Sequence, residues 1–217
     1  MSTEKEKELE GYLKDIAAHE KTLGKDSFEI AVKYSQIAMT YSELERHQEA
    51  LEWYFKVLAI IEKTRGKEDL ATALACRTIA QTYNDLDEYD ESLKWFNRAL
   101  AIYEKDPEGD RMGLATVYDG IGSYYWIVNE NANAYKWFLK ALPLYEIELG
   151  EGAPEMANLY LMLAMTSHGE GKDANGVKWT DKAFANREKV QEDIPIPKQS
   201  LATKILRKLK DIFRKLK

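Results

Sequence analysis

The sequence predicts an all-α fold, a solenoid built from antiparallel helix hairpins stacked one on the next. Three observations carry that expectation. Trp53, Trp95, Trp137 and Trp179 stand 42 residues apart without slippage, and self-similarity at one fixed period marks a repeat architecture. Inside each period the apolar residues recur at the spacing of a helix face. Proline and glycine are scarce, 5 and 12 among 217 residues, which favours long helices over an all-β fold.

Other columns keep the same step. Ala38, Ala80, Gly122 and Ala164 are small, as are Ala50, Ser92, Ala134 and Gly176. Glu62, Glu104, Glu146 and Glu188 are invariant, while Leu58, Leu100, Leu142 and Phe184 are bulky and apolar. Small residues fit where the two helices of a hairpin cross closely, and the large ones fill the space between crossings. In the second period Leu74, Thr78, Ile79, Tyr83 and Leu86 line one face of a first helix. Asp87-Glu88-Tyr89-Asp90 turns the chain, and Ser92 to Tyr103 carries the wide apolar face of a second helix. Asp106-Pro107-Glu108-Gly109 closes the period with the residues that stop helices. A hairpin of this kind leaves one apolar face open, so the units must stack to bury it.

The run Ile79-Ala80-Gln81-Thr82-Tyr83, followed by Tyr89, Ser92, Phe96 and Ala99, resembles the tetratricopeptide repeat in its 42-residue, kinesin-light-chain-like form. The endings "VLAIIEKTRG" at 57–66 and "ALAIYEK" at 99–105 resemble the second-helix endings of that form. The resemblance covers about residues 12–190 and implies a right-handed superhelical solenoid. Residues 16–22 align with 58–64, so residues 1–26 are expected to hold a lone capping helix. Four hairpins follow at 27–68, 69–110, 111–152 and 153–192. A proline-containing linker at 193–197 leads to a basic amphipathic helix at 198–217, expected to act as a cap.

Composition excludes several classes of function. A single cysteine, Cys76, cannot make an intrachain disulfide and fits a reducing compartment. It shares a column with Tyr34, Tyr118 and Tyr160 and is expected to be a small buried hydrophobe rather than a nucleophile. No apolar run spans a bilayer, and the charged start of the chain lacks the apolar core of a signal peptide. A cytoplasmic protein is expected. His19, His47 and His168 share no metal-ligand spacing. Gly169-Glu170-Gly171-Lys172 lacks the spacing and the following hydroxyl of a phosphate loop, since Asp173 comes next. The acidic turn at Asp85–Glu88 lacks the glycine of a calcium loop. No catalytic constellation, metal site or cofactor site can be assembled, so a non-enzyme with no small-molecule substrate is expected.

The resemblance places the first helix of each hairpin along a concave groove. It points to columns at −6, −3, +1, +4 and +5 from the small residue. These are Val32, Ser35, Met39, Ser42 and Glu43 in the first hairpin, and Leu74, Arg77, Gln81, Asn84 and Asp85 in the second. The third contributes Thr116, Asp119, Ser123, Trp126 and Ile127, and the fourth Asn158, Leu161, Met165, His168 and Gly169. The candidate partner-binding set is Met39, Arg77, Gln81, Asn84, Asp119, Ser123, Trp126, Ile127, Leu161 and Met165. In it Trp126 and Met165 are apolar anchors and Arg77 a handle for a carboxylate.

Charge is unevenly spread. Residues 198–217 hold eight basic residues and one acidic, a formal +7, leaving −13 on residues 1–197 from a total of −6. Leu201, Ile205, Leu206, Leu209, Ile212, Phe213 and Leu216 form an apolar stripe among cations. Its register, 42 residues beyond Leu159, Leu163 and Ala164, is that of a first helix capping the fourth hairpin. The competing reading is a tail that seeks anionic lipid or a partner through Lys204, Arg207, Lys208, Lys210, Phe213, Arg214 and Lys215. Nucleic acid is disfavoured, because the acidic body repels phosphates and no stacking platform accompanies the cations. The expected function is a non-catalytic scaffold or adaptor that binds a protein or peptide segment, as a monomer or weak dimer. The alternatives are a peripheral membrane protein held by its tail and a peptide-responsive regulator.

Overall fold

The computed structural model describes residues 2–153, 155–167 and 173–188. Among the described residues the chain forms nine α-helices and no strand. They are α1 (Ser2–Leu23), α2 (Phe28–Glu43), α3 (His47–Thr64), α4 (Leu70–Asp85), α5 (Tyr89–Tyr103), α6 (Arg111–Ile127), α7 (Asn131–Leu149), α8 (Met156–Ser167) and α9 (Asp173–Glu188). The helices group into two units, residues 1–144 and 145–217. The division falls inside α7, beside Pro143, a residue whose ring removes one intrahelical hydrogen bond.

Local signals explain the boundaries. Ser27, Asp69 and Asp110 cap the N-termini of α2, α4 and α6, accepting from the backbone N–H of Ile30 (3.2 Å), Ala71 (2.8 Å) and Gly113 (2.7 Å). Each such cap satisfies a donor that the helix cannot, worth about 1 kcal/mol. The turns that follow these helices repeat as faithfully as the tryptophans. Glu45, Asp87 and Asn129, 42 residues apart, all take the left-handed conformation, with φ of 60°, 61° and 62°.

In the first unit successive helices pack in chain order from α1 to α6; in the second, α8 packs on α9. The small columns sit at the closest approaches: Ala38, Ala50, Ala80 and Ala134 expose no surface. A Cβ on Gly122 would lie 2.8 Å from two ring carbons of Phe138. Between these crossings Tyr103, Phe96, Phe138, Ile79 and Ile121 fill the first unit's core, and Tyr160, Met156 and Leu163 that of the second.

The tryptophan column belongs to a composite rung that recurs with the period. In the first rung the Tyr34 hydroxyl donates to Glu20 at 2.7 Å, the Tyr34 ring meets Trp53 edge-on at 5.2 Å, and the Lys56 ammonium lies 3.7 Å from the Trp53 ring centre. That hydrogen bond holds the Glu20 carboxyl below its ordinary pKa, while burial pushes Tyr34 up to about 12. Glu104, Tyr118, Trp137 and Lys140 repeat the arrangement. In the second unit so do Glu146, Tyr160, Trp179 and Lys182. The remaining rung differs in two places at once. Cys76 stands where the others have tyrosine, and Arg98 stands where they have lysine. Arg98 lies over Trp95 and donates to Glu62, the carboxylate that the missing tyrosine hydroxyl would have held. Cys76 is fully buried, and burial raises its thiol to about 11, which makes it an inert packing residue.

Candidate partner-binding face

The first helices of the first unit, α2, α4 and α6, differ in what they offer on the columns selected above. Val32 and Met39 on α2 and Leu74 on α4 are large apolar residues left 44%, 55% and 46% exposed. Gln81 is exposed and Asn84 half-buried beside them. On α6, by contrast, Ser123 and Trp126 are buried, at 5% and 9% exposure, and Ile127 is half-buried. Trp126 therefore packs inside its unit instead of projecting as an anchor. The exposed apolar surface lies on α2 and α4.

Arg77 is half-buried on α4, and its Nε is enclosed without a hydrogen-bond partner. The Tyr103 hydroxyl and the Asp110 carboxylate lie close by, and the burial of Tyr103 raises its pKa to about 12. Arg77 is thus surrounded by internal groups, one of them acidic, rather than held out toward a ligand. Asp119, one period further on, keeps some exposed surface. Its carboxyl is nonetheless packed closely enough that burial alone pushes its pKa up to about 7.

The C-terminal edge of this face is acidic. Glu43 ends α2 and Asp85 ends α4, and neither helix has a basic residue in its last turn. A carboxylate there opposes the negative end of the helix dipole, an effect typically of about 0.3–1 kcal/mol at a surface. Both carboxylates act on the Tyr54 hydroxyl between them, which also interacts with Ser42. Lys5 pairs with Glu43, and the His47 Nδ1 stands 3.9 Å from Asp85. The left-handed Glu45 and Asp87 and the following Glu88 extend the same edge.

In the second unit Leu161 and Met165 are half-buried on α8. His168, Gly169 to Lys172, and the whole 198–217 segment with Lys204, Arg207, Lys208, Lys210, Phe213, Arg214 and Lys215 lie outside the described residues. Among the described residues no three His, Cys, Asp or Glu side chains are grouped to hold a metal ion. No helix among them is long and apolar enough to cross a membrane. Sequence reasoning placed Val32, Leu74, Glu43 and Asp85 on the right columns but did not single them out; the signal available was the column itself.

The tetratricopeptide repeat family model matches residues 29–105 and 74–147, which together exceed half of the 217 residues. The chain belongs to the tetratricopeptide repeat family. Its fold is similar to that of BtubC (BKLC) from P. vanneervenii, at a TM-score of 0.70 and 20% identity over 87% of this chain and 75% of that one. A Podosopora anserina kinesin light chain with nearly identical TPR-like repeats gives a TM-score of 0.67 at 17% identity, covering 87% and 90%. The apo form of RapI gives 0.71 at 17%, covering 86% and 67%. No curated protein sequence matches the chain. The 42-residue period and these likenesses mark the kinesin-light-chain-like form of the repeat.

Proposed function

We propose that this chain is a non-catalytic cytoplasmic scaffold that binds a peptide or helical segment of a protein partner along the exposed face of α2 and α4. The observation that carries the reading is the apolar surface of Val32, Met39 and Leu74, left open on helices whose opposite faces form the core. Met39 and Leu74 are the contact centre, with Gln81 and Asn84 able to hydrogen-bond a partner's backbone. Trp126 and Ser123 support the neighbouring helix from within. Half-exposed aliphatic side chains on rigid helices suit an interaction that buries them.

The test is a displayed peptide library selected against the full chain, with each selected peptide then titrated against Leu74→Asp and Met39→Asp. Both positions are exposed, so the variants should stay folded by circular dichroism. Selected peptides should lose at least tenfold in affinity, about 1.4 kcal/mol. Binders indifferent to both substitutions would move the docking face elsewhere.

A further inference from the structure

We infer that the segment received by the α2–α4 face is a cationic amphipathic helix, with aliphatic residues on one side and Lys or Arg on the other. The inference rests on the docking face proposed above and adds the chemistry of its occupant. Three features of the face select that chemistry.

The first is the shape of the apolar surface. Val32 and Met39 lie seven residues apart on α2, about 10 Å or two turns along the helix. Leu74 occupies on α4 the position that Val32 occupies on α2. A two-turn apolar strip flanked by a second helix accepts side chains spaced at i, i+3 or i+4, and i+7 from an incoming helix.

The second is the sign of the charge bordering the strip. Glu43 and Asp85 share one column, each at the end of its helix, where the backbone dipole already concentrates negative potential. Glu45 takes a left-handed conformation that favours Asn, Asp or Gly, and so stands there against local preference. Breaches of local preference that recur at one edge are expected where a partner compensates them. Residues 1–144 carry 26 acidic against 18 basic side chains, a formal −8, so the wider field has the same sign. Cations on an incoming helix would meet Glu43 and Asp85 while its aliphatic side covered Met39 and Leu74.

The third is the disposition of the cations already present. Arg77 lies beside Tyr103 and Asp110, and Arg46 is paired with Glu49 at 2.6 Å and stacked on Tyr41. Neither balances Asp85, and an acidic segment would be repelled along the whole edge.

The chain's own 198–217 sequence has this chemistry, a Leu/Ile/Phe stripe with a formal +7, and so supplies a probe. A labelled peptide of that sequence is titrated into the full chain by fluorescence anisotropy, beside a companion peptide with every Lys and Arg replaced by Glu. The receptors are the wild type, Leu74→Asp, the double variant Glu43→Lys/Asp85→Lys, and a control double variant, Glu10→Lys/Glu52→Lys, that makes the same change of net charge at exposed positions elsewhere. The basic peptide should bind the wild type and the control alike, lose at least tenfold on the other two, and weaken as salt rises. An equal loss on both charge-reversed doubles would show attraction to net charge alone and overturn the inference. Binding of the acidic companion in a Leu74-dependent way, without binding of the basic peptide, would overturn the cationic partner and leave the docking face standing. Failure of both peptides to bind, with a library binder still sensitive to Leu74→Asp, would do the same. Basic-peptide binding indifferent to Leu74→Asp would overturn the placement itself.

Discussion

Replacing a helical glycine by alanine can raise or lower stability, and the chain contains a pair that separates the two outcomes. Gly11 in α1 has nothing within 4 Å of the place a Cβ would occupy. There the change should give only the helix-propensity gain, up to about 1 kcal/mol. Gly120 in α6 gains the same propensity but faces the tip of Phe96. A Cβ at this position would lie 2.5 and 2.8 Å from two of the ring carbons and closer still to Cζ. Relaxed carbon contacts need about 3.5–4.0 Å. Phe96 is 2% exposed and held on α5, so the ring has no open space to swing into and α6 must move off α5 by about 1 Å to restore normal contact. Overpacking of this kind typically costs about 1–3 kcal/mol. Taking the upper end, because the neighbour is a rigid ring, Gly120→Ala should lose about 2 kcal/mol net of the propensity gain. For a chain of this size that is a midpoint about 4–8 °C lower. Thermal melts followed by far-ultraviolet circular dichroism, with urea titrations to confirm equal m-values, give the comparison directly. A Gly120→Ala midpoint at or above that of the wild type would refute the reasoning. The α5–α6 contact would then be softer than the ring geometry requires.

Other consequences follow from single features. Cys76→Tyr restores the repeat's tyrosine but places a ring where Arg98 reaches Glu62, so it should cost about 1–3 kcal/mol alone and less in the presence of Arg98→Lys; additive costs in a double-mutant cycle would argue that the two departures are unrelated. Asp119 takes up a proton more readily folded, with a pKa of about 7, than unfolded, at about 3.9. Its contribution to stability is therefore greatest at low pH, falls as pH rises from about 4 to about 7, and is level above that. Asp119→Asn should remove that decline from denaturation midpoints measured between pH 5 and 8, whereas parallel wild-type and variant profiles would mean the carboxyl is better solvated than its packing indicates. Trp126→Ala should lower stability by about 3 kcal/mol or more, as expected for a buried aromatic. An unchanged melting midpoint would return Trp126 to the role of a partner-facing anchor.

The helices and their order were legible because a repeat writes its packing several times over. The 42-residue columns of tryptophan, small residues and glutamate each report a contact that every unit must make. Cys76 could be placed in the core from its column alone, and the structure buries it completely. The left-handed turns at Glu45, Asp87 and Asn129 were harder to see, since their residue types differ while the backbone requirement stays the same. Pro143 was invisible as an interruption, because α7 continues through it.

The binding face was only half legible. Its columns follow from periodicity, since a residue's place on a helix depends on the local 3.6-residue turn. Which residues on those columns stay exposed does not. Trp126 and Met39 occupy groove columns of neighbouring repeats, yet one is 9% and the other 55% exposed. Likewise, Arg77 reads as a free cation until Tyr103 and Asp110 are found beside it. The sequence by itself determined the repeat, the helix faces and the small residues at the crossings, because these depend on spacing along one chain. Exposure, the pairing of Arg98 with Glu62 and the desolvation of Asp119 were decided only by the tertiary structure. Each depends on side chains brought from distant positions, whose volume and charge set what surface and solvent remain.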